Sequence, residues 1–160
     1  MKAPAFRYVL PPRTGTLLLV WDKDKVIAKN PTGQLSELNS SQRKIVEQLN
    51  ASQDGLLAAE LSKNLGKTHA GVLFLLQPLL ENGIVERAVL RGGGVLYYMP
   101  FKISVELSAE MEVAKTSIEG KAGKTVQEMT LEELYENSKG LADDVKRPLF
   151  SWIFEGGWKK

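Results

Sequence analysis

Two short stretches of the chain have the residue types of a phosphate-binding loop. Residues 66–68 and residues 123–125 are both Gly-Lys-Thr, the tripeptide that ends a P-loop and brings a lysine to the nucleotide phosphates. A P-loop also needs a glycine five positions before the glycine of that tripeptide, and Leu61 and Ile118 occupy those positions. Neither stretch is therefore predicted to bind a nucleotide.

Side chains that commonly act in catalysis or hold metals are few in this chain. It has no cysteine and a single histidine, His69, which excludes disulfides, thiolate metal sites and histidine clusters. Glu132, Glu133 and Glu136 lie close together on a predicted helix, where they form a hydrated face that favours the helix dipole. We therefore predict no catalytic site, no metal site and no cofactor, and we expect a protein that is not an enzyme.

The charges of the chain are unevenly distributed. Residues 1–44 have eight Lys and Arg against three Asp and Glu, residues 45–100 have four against five, and residues 101–160 have nine against eleven. A basic front end beside a slightly acidic tail favours a polyanionic partner. A solvated surface with a chance asymmetry explains the same numbers, because the net charge is only +2.

The composition, with 43% hydrophobic and 25% charged residues, is that of an ordinary soluble globular chain. No apolar run approaches the roughly 20 residues of a membrane-spanning helix. The N-terminal stretch MKAPAFRYVLPPR lacks the apolar core of a signal peptide. Together with the lack of cysteine, these features predict a cytoplasmic protein without a membrane partner.

A β-hairpin is predicted within residues 1–34. The runs TLLLVW (16–21) and KVIAK (25–29) flank a turn-forming Asp-Lys-Asp stretch. The sequence after Phe101 predicts a mostly helical extension over residues 102–160, with EGKAGK (119–124) as its best linker candidate.

Between these segments the pattern predicts three helices and a second hairpin. The helices are predicted at 39–50, 54–65 and 67–83 from apolar residues at helical spacing. Asn39 and Thr68 are the predicted caps of the first and third helices, and Gly66 and Gly83 end the second and third. Two β-rich runs, 84–90 and 95–100, flank an Arg-Gly-Gly-Gly turn whose glycines supply the positive φ angles of a tight hairpin. The predicted class is α+β, with one folded domain at 35–101.

This order of three helices and a two-stranded ribbon resembles the winged helix-turn-helix superfamily over about residues 36–101. The stretches that carry the resemblance are LLAAELSKNLG, LLQPLLENGIVERAVL and RGGGVLYYMP, with Gly83-Ile84-Val85 at the start of the wing. The resemblance implies a third helix that lies in the major groove of double-stranded DNA and a wing against its backbone. Other winged helices bind proteins, so function has to be argued from the exposed side chains.

The third helix is unusual because apolar residues surround most of it. The resemblance assigns Val72, Leu76 and Leu79 to the core. It leaves an outward face that mixes polar and apolar residues: His69, Ala70, Leu73, Phe74, Gln77 and Pro78. His69 and Gln77 are able to hydrogen-bond a base edge, but Leu73 and Phe74 are not.

The predicted DNA contacts are therefore mainly cations that hold phosphates. The candidate DNA-binding residues are Arg43, Lys44, Lys63, Lys67, His69, Gln77, Arg87 and Arg91. Tyr97 and Tyr98 in the wing strand are further candidates for stacking on bases, although a strand tyrosine more often serves ordinary packing. The first interpretation is a DNA-binding protein of transcription, replication or mobile-element control, found at the nucleoid or nucleus when bound.

The alternative interpretation is a protein-interaction or adaptor module that uses the apolar outer face of the third helix. Its candidate interface residues are Leu73, Phe74, Leu75 and Leu80. Something is expected to cover them, since leaving each large side chain in water forgoes roughly 1.5–3 kcal/mol of burial. The cover is either the first hairpin or the C-terminal apolar residues of the same chain, a second copy in a homodimer, or another protein.

Overall fold

The structure, a computed structural model, describes residues 9–23 and 25–154. In these ranges the strands are Thr16–Asp22 (β1), Lys25–Lys29 (β2), Leu35–Leu38 (β3), Leu56–Leu57 (β4), Glu86–Val89 (β5), Val95–Tyr98 (β6) and Lys102–Leu107 (β7). The helices are Ser40–Ala51 (α1), Ala58–Leu65 (α2), His69–Glu81 (α3), Ala109–Ala122 (α4), Leu131–Asn137 (α5) and Asp143–Phe154 (α6). The mixed α+β class is therefore confirmed.

The strands form two sheets, with the strand orders β3-β2-β1-β7 and β4-β6-β5. The described chain divides into two compact units, unit 1 with residues 9–18 and 28–104, and unit 2 with residues 19–23, 25–27 and 105–154. The boundary falls within β1 and β2, whereas the sequence-based division at 34/35 and 101/102 assigns the whole first hairpin to one segment. A boundary inside a strand leaves no signal in composition or turn residues.

In unit 1, local capping explains where α1 and α3 begin. Asn39 accepts a hydrogen bond from the backbone N–H of Gln42 at 2.8 Å, and the Gln42 side chain accepts one from the N–H of Asn39 at 3.1 Å. Thr68 accepts from the N–H of Gly71 at 3.0 Å, which caps α3. The predictions for both helices are confirmed, and Val72, Leu76 and Leu79 of α3 are buried in the core as expected.

The second helix begins later than the sequence pattern indicates. Gly55 has φ +77°, and Leu56–Leu57 form the short strand β4, which pairs antiparallel with β6 through Leu56↔Tyr97 and Leu57↔Leu96. Helix α2 then starts at Ala58, where the Glu60 carboxylate accepts a hydrogen bond from the N–H of Leu57 at 2.8 Å. The predicted start at residue 54 was wrong because two residues pair with a strand about 40 positions away.

A side chain distant in sequence supports the end of α1. The Arg13 guanidinium donates to the carbonyl oxygens of Leu49, Asn50 and Ser52 at 3.0–3.1 Å. The last carbonyls of a helix have no partner within the helix, and a cation also favours that end of its dipole. Burial lowers the pKa of Arg13, which is held by these acceptors rather than by a carboxylate.

Unit 2 contains α4, α5 and α6 around a core of its own. Residues 119–122, the start of the predicted linker, are the last turn of α4, and Gly123 ends the helix at φ +70°. The linker prediction was wrong, because the buried Ile118 anchors this turn in the core. The C-terminal apolar residues belong to the same core, where Leu149, Trp152 and Ile153 are buried.

Candidate nucleic-acid and protein interface

The two Gly-Lys-Thr stretches have structural positions at helix ends. Gly66 ends α2 in the left-handed conformation, and Thr68 caps α3. After Gly123, Lys124 donates to Glu133 at 2.6 Å. This hydrogen bond and the N–H of Thr130 hold the pKa of Glu133 below its usual value. Both stretches therefore act as connections between helices.

The eight candidate DNA-binding residues are spread over four parts of unit 1. Helix α1 carries Arg43 and Lys44, α2 and the following turn carry Lys63 and Lys67, α3 carries His69 and Gln77, and the β5–β6 hairpin carries Arg87 and Arg91. All of them are exposed except Arg43, which is half-buried. Each of the eight side chains is thus at least partly accessible to a ligand.

Three of these eight residues line one groove. This groove, which we call the α3–hairpin groove, has a volume of about 560 Å³ and contains His69, Gln77 and Arg87. Leu73 and Leu80, two of the four candidate interface residues, line it as well, together with the start of α2 at Leu57. The structure therefore brings the polar candidates and the apolar candidates to the same surface.

Five of the candidate DNA-binding cations are open, a set we call the five open cations: Lys44, Lys63, Lys67, Arg87 and Arg91. None of them forms an ion pair or a side-chain hydrogen bond with another residue of the described ranges. In unit 2, Lys23 pairs with Asp144 at 3.3 Å and with Glu110 at 3.4 Å, and both pairs raise its pKa, whereas the exposed Lys121 and Arg147 form no ion pair with a described residue. The five open cations of unit 1 are thus available to an external anion.

The polar residues of α3 offer little to a base edge. Gln77 donates to Glu81 at 2.9 Å, so its amide is already engaged on its own helix. His69 is exposed at the first position of α3. Within His69–Glu81 the sequence has no Lys or Arg, the residue types that read guanine most often.

Of the two roles considered for Tyr97 and Tyr98, packing is confirmed and stacking on bases is not supported. Both side chains are buried, with exposed fractions of 4% and 7%. The Tyr98 hydroxyl donates to Glu86 at 3.0 Å, across the pairing of β5 with β6. These tyrosines therefore belong to the core beneath the hairpin and do not present rings for stacking.

The apolar outer face of α3 is open within the described chain. Phe74 is 78% exposed and Leu73 is 39% exposed, while Leu75 and Leu80 are half-buried. The C-terminal residues that were expected to cover this face as one option lie in unit 2, where Phe150 stacks edge-on with Tyr135 at 5.4 Å. No described segment of unit 1 covers Phe74, so unit 1 by itself leaves this face open to a partner.

Sequence reasoning missed Leu57 and Arg13, which position this surface. Leu57 reaches the groove because β4 places it beside β6, and Arg13 holds the end of α1. Both effects come from contacts between residues far apart in the sequence. The local signal was Gly55, because glycine readily adopts the positive φ that interrupts a helix at this position.

No protein-family model, curated protein or solved structure matches this chain. Within residues 9–23 and 25–154, no three His, Asp or Glu side chains come together in a way that could hold a metal ion. A search of the same ranges finds no helix with the length and apolar character needed to cross a membrane. The function of the protein therefore has to be inferred from the exposed side chains of unit 1.

Proposed function

We propose that unit 1 is a winged-helix domain that binds double-stranded DNA mainly through its phosphates, and that the protein is not an enzyme. The order α1, β4, α2, α3, β5, β6 supports the winged-helix assignment. So does the three-stranded sheet in which β4 pairs antiparallel with β6 beside β5. In such a domain α3 and the β5–β6 hairpin are the elements that approach the duplex.

The single observation that carries the proposal is the set of five open cations on this scaffold. Phosphate contacts need only accessible positive charge and position a protein without reading sequence. By sequence, residues 1–18 and 28–104 have eleven Lys and Arg against six Asp and Glu, and the rest of the chain has ten against thirteen. The excess of positive charge is thus in the part of the chain that includes α3 and the hairpin.

The proposed binding is weakly sequence-specific. Helix α3 has no Lys or Arg, Gln77 is engaged by Glu81, and the exposed Phe74 has no donor or acceptor for a base. Half-buried Arg43 and exposed His69 add contacts at the edges of this surface. A protein with this surface acts inside the cell, at the nucleoid or in the nucleus.

A salt titration tests the proposal. Fluorescence anisotropy of the full chain with a short labelled duplex should give log K against log salt with a slope of about −4.5, from five phosphate contacts. Affinity should then fall roughly 500-fold between about 50 and about 200 mM salt. Two duplexes of unrelated sequence should bind within about threefold of each other. Absence of any complex at the lowest salt would rule the proposal out.

A second candidate function is a protein-interaction module, and the exposure of Phe74 favours it. Exposed apolar patches with polar rims mark partner sites on soluble proteins. In this case the α3–hairpin groove, with Leu73 and Leu80 on its walls, is the contact surface. The same titration separates the two candidates, because an apolar interface confers no affinity for DNA at low salt.

A further inference from the structure

The exposed side chains of α3 form one stripe along the helix. Ala70, Phe74, Gln77 and Glu81 follow one another at spacings of four, three and four residues, which places them on one face. Phe74, in the middle, is the most exposed side chain of the helix among its large apolar residues. Burial of such a ring is favourable, so this stripe is suited to contact with another apolar surface.

The charges at the two ends of α3 have opposite signs. Lys67 lies just before the cap Thr68 at the start of the helix, and Glu81 is its last residue. Lys67 is one of the five open cations, and Glu81 accepts only from Gln77 among the described residues. A two-fold interface uses the same patch twice and therefore requires a patch that is complementary to itself.

We infer that the occupant of this face is a second copy of the chain, packed with its α3 antiparallel to the first and with Phe74 near the two-fold axis. In this arrangement Lys67 of each copy faces Glu81 of the other, and small Ala70 lies opposite Pro78. A parallel arrangement would place Lys67 against Lys67 and Glu81 against Glu81, which like-charge repulsion disfavours. The antiparallel pair also aligns the helix dipoles favourably.

Because the dimer covers Lys67 and the outer face of α3, the proposed DNA binding belongs to the monomer. The inference does not rest on that binding, and its test contains no DNA. Sedimentation velocity of the full chain at about 100 μM, above the Kd of a dimer of micromolar affinity, should give twice the 17.7 kDa of one chain. Phe74→Glu should give a monomer with an unchanged far-UV circular dichroism spectrum, because the side chain is exposed. Val113→Glu is the matched control, since Val113 is 70% exposed on α4, and it should remain a dimer.

A charge exchange tests the antiparallel direction. Lys67→Glu and Glu81→Lys should each weaken the dimer about fivefold, because each creates two like-charge contacts across the axis. The double variant should return to the wild-type dissociation constant. A monomeric wild type, which would leave the face to another protein, overturns the inference. So does a Phe74→Glu variant that dimerises normally, or a double variant weaker than either single one.

Discussion

Replacing Lys63, Arg87 and Arg91 together by Gln is expected to weaken DNA binding roughly 500-fold at about 0.1 M salt, since each phosphate contact contributes about eightfold between 1 M and 0.1 M. The slope of log K against log salt should become shallower by about 2.7. These three side chains are exposed and have no ion-pair partner among the described residues, so the free energy of unfolding should stay unchanged. Lys67 is left in place because it serves the proposed dimer.

The matched control removes three positive charges from unit 2. Lys121 and Arg147 are exposed, and Lys139 forms only a surface pair with Glu136 at 3.0 Å. Changing these three to Gln alters the net charge by the same amount and should leave the slope of the titration as it is in the wild type. Equal losses in the two triple variants would mean that net charge, and not the surface of unit 1, attracts the DNA. The proposed interface would then be incorrect.

Gly55→Ala is expected to lower the free energy of unfolding by about 3 kcal/mol. Gly55 has φ +77°, a conformation that costs an alanine about 1–2 kcal/mol. A Cβ at this position would also lie 2.8 Å from the carbonyl oxygen of Tyr97 and 3.0 Å from Cγ of Leu96. Either β4 moves away from β6 or the backbone of β6 shifts, and the pairing that supports the hairpin is weakened.

The Gly66→Ala variant separates the cost of a positive φ from the cost of a steric clash of the added Cβ. Gly66 has a similar φ of +65°, but no atom lies within 4 Å of an added Cβ. Urea unfolding followed by circular dichroism should therefore give a loss of only about 1 kcal/mol for Gly66→Ala. If the two variants lost the same free energy, the close approach of Gly55 to β6 would not exist in solution. Because Arg87 and Arg91 lie on the hairpin, only Gly55→Ala should also weaken DNA binding.

Elements that depend on interactions between residues a few positions apart could be predicted from the sequence. The capping box of Asn39 and Gln42 starts α1, and Thr68 starts α3, because these hydrogen bonds join residues three positions apart. The hairpin after Val85 follows from glycines that accept positive φ at its tip. The outward face of α3 followed from the resemblance to winged helices, which assigns Val72 and Leu76 to the core, because apolar residues surround most of this helix.

Elements that depend on contacts between residues far apart in the sequence could not be predicted. Strand β4 exists because Leu56 and Leu57 pair with β6, whose Tyr97 and Tyr98 are buried. The support that Arg13 gives to α1 spans more than 35 residues. The end of α4 was mistaken for a linker because the packing of Ile118, and not local composition, keeps it helical.

The sequence by itself determined the α+β class, the three helices followed by a hairpin, and the types of side chain available for binding. Periodicity and capping depend on residues within one or two helical turns of each other, so they can be recognised in the local sequence. Only the tertiary structure decided that His69, Gln77 and Arg87 share one groove with Leu73, and that no described part of unit 1 covers Phe74. Both facts depend on which segments pack together in three dimensions, and a single sequence does not encode that as a local pattern.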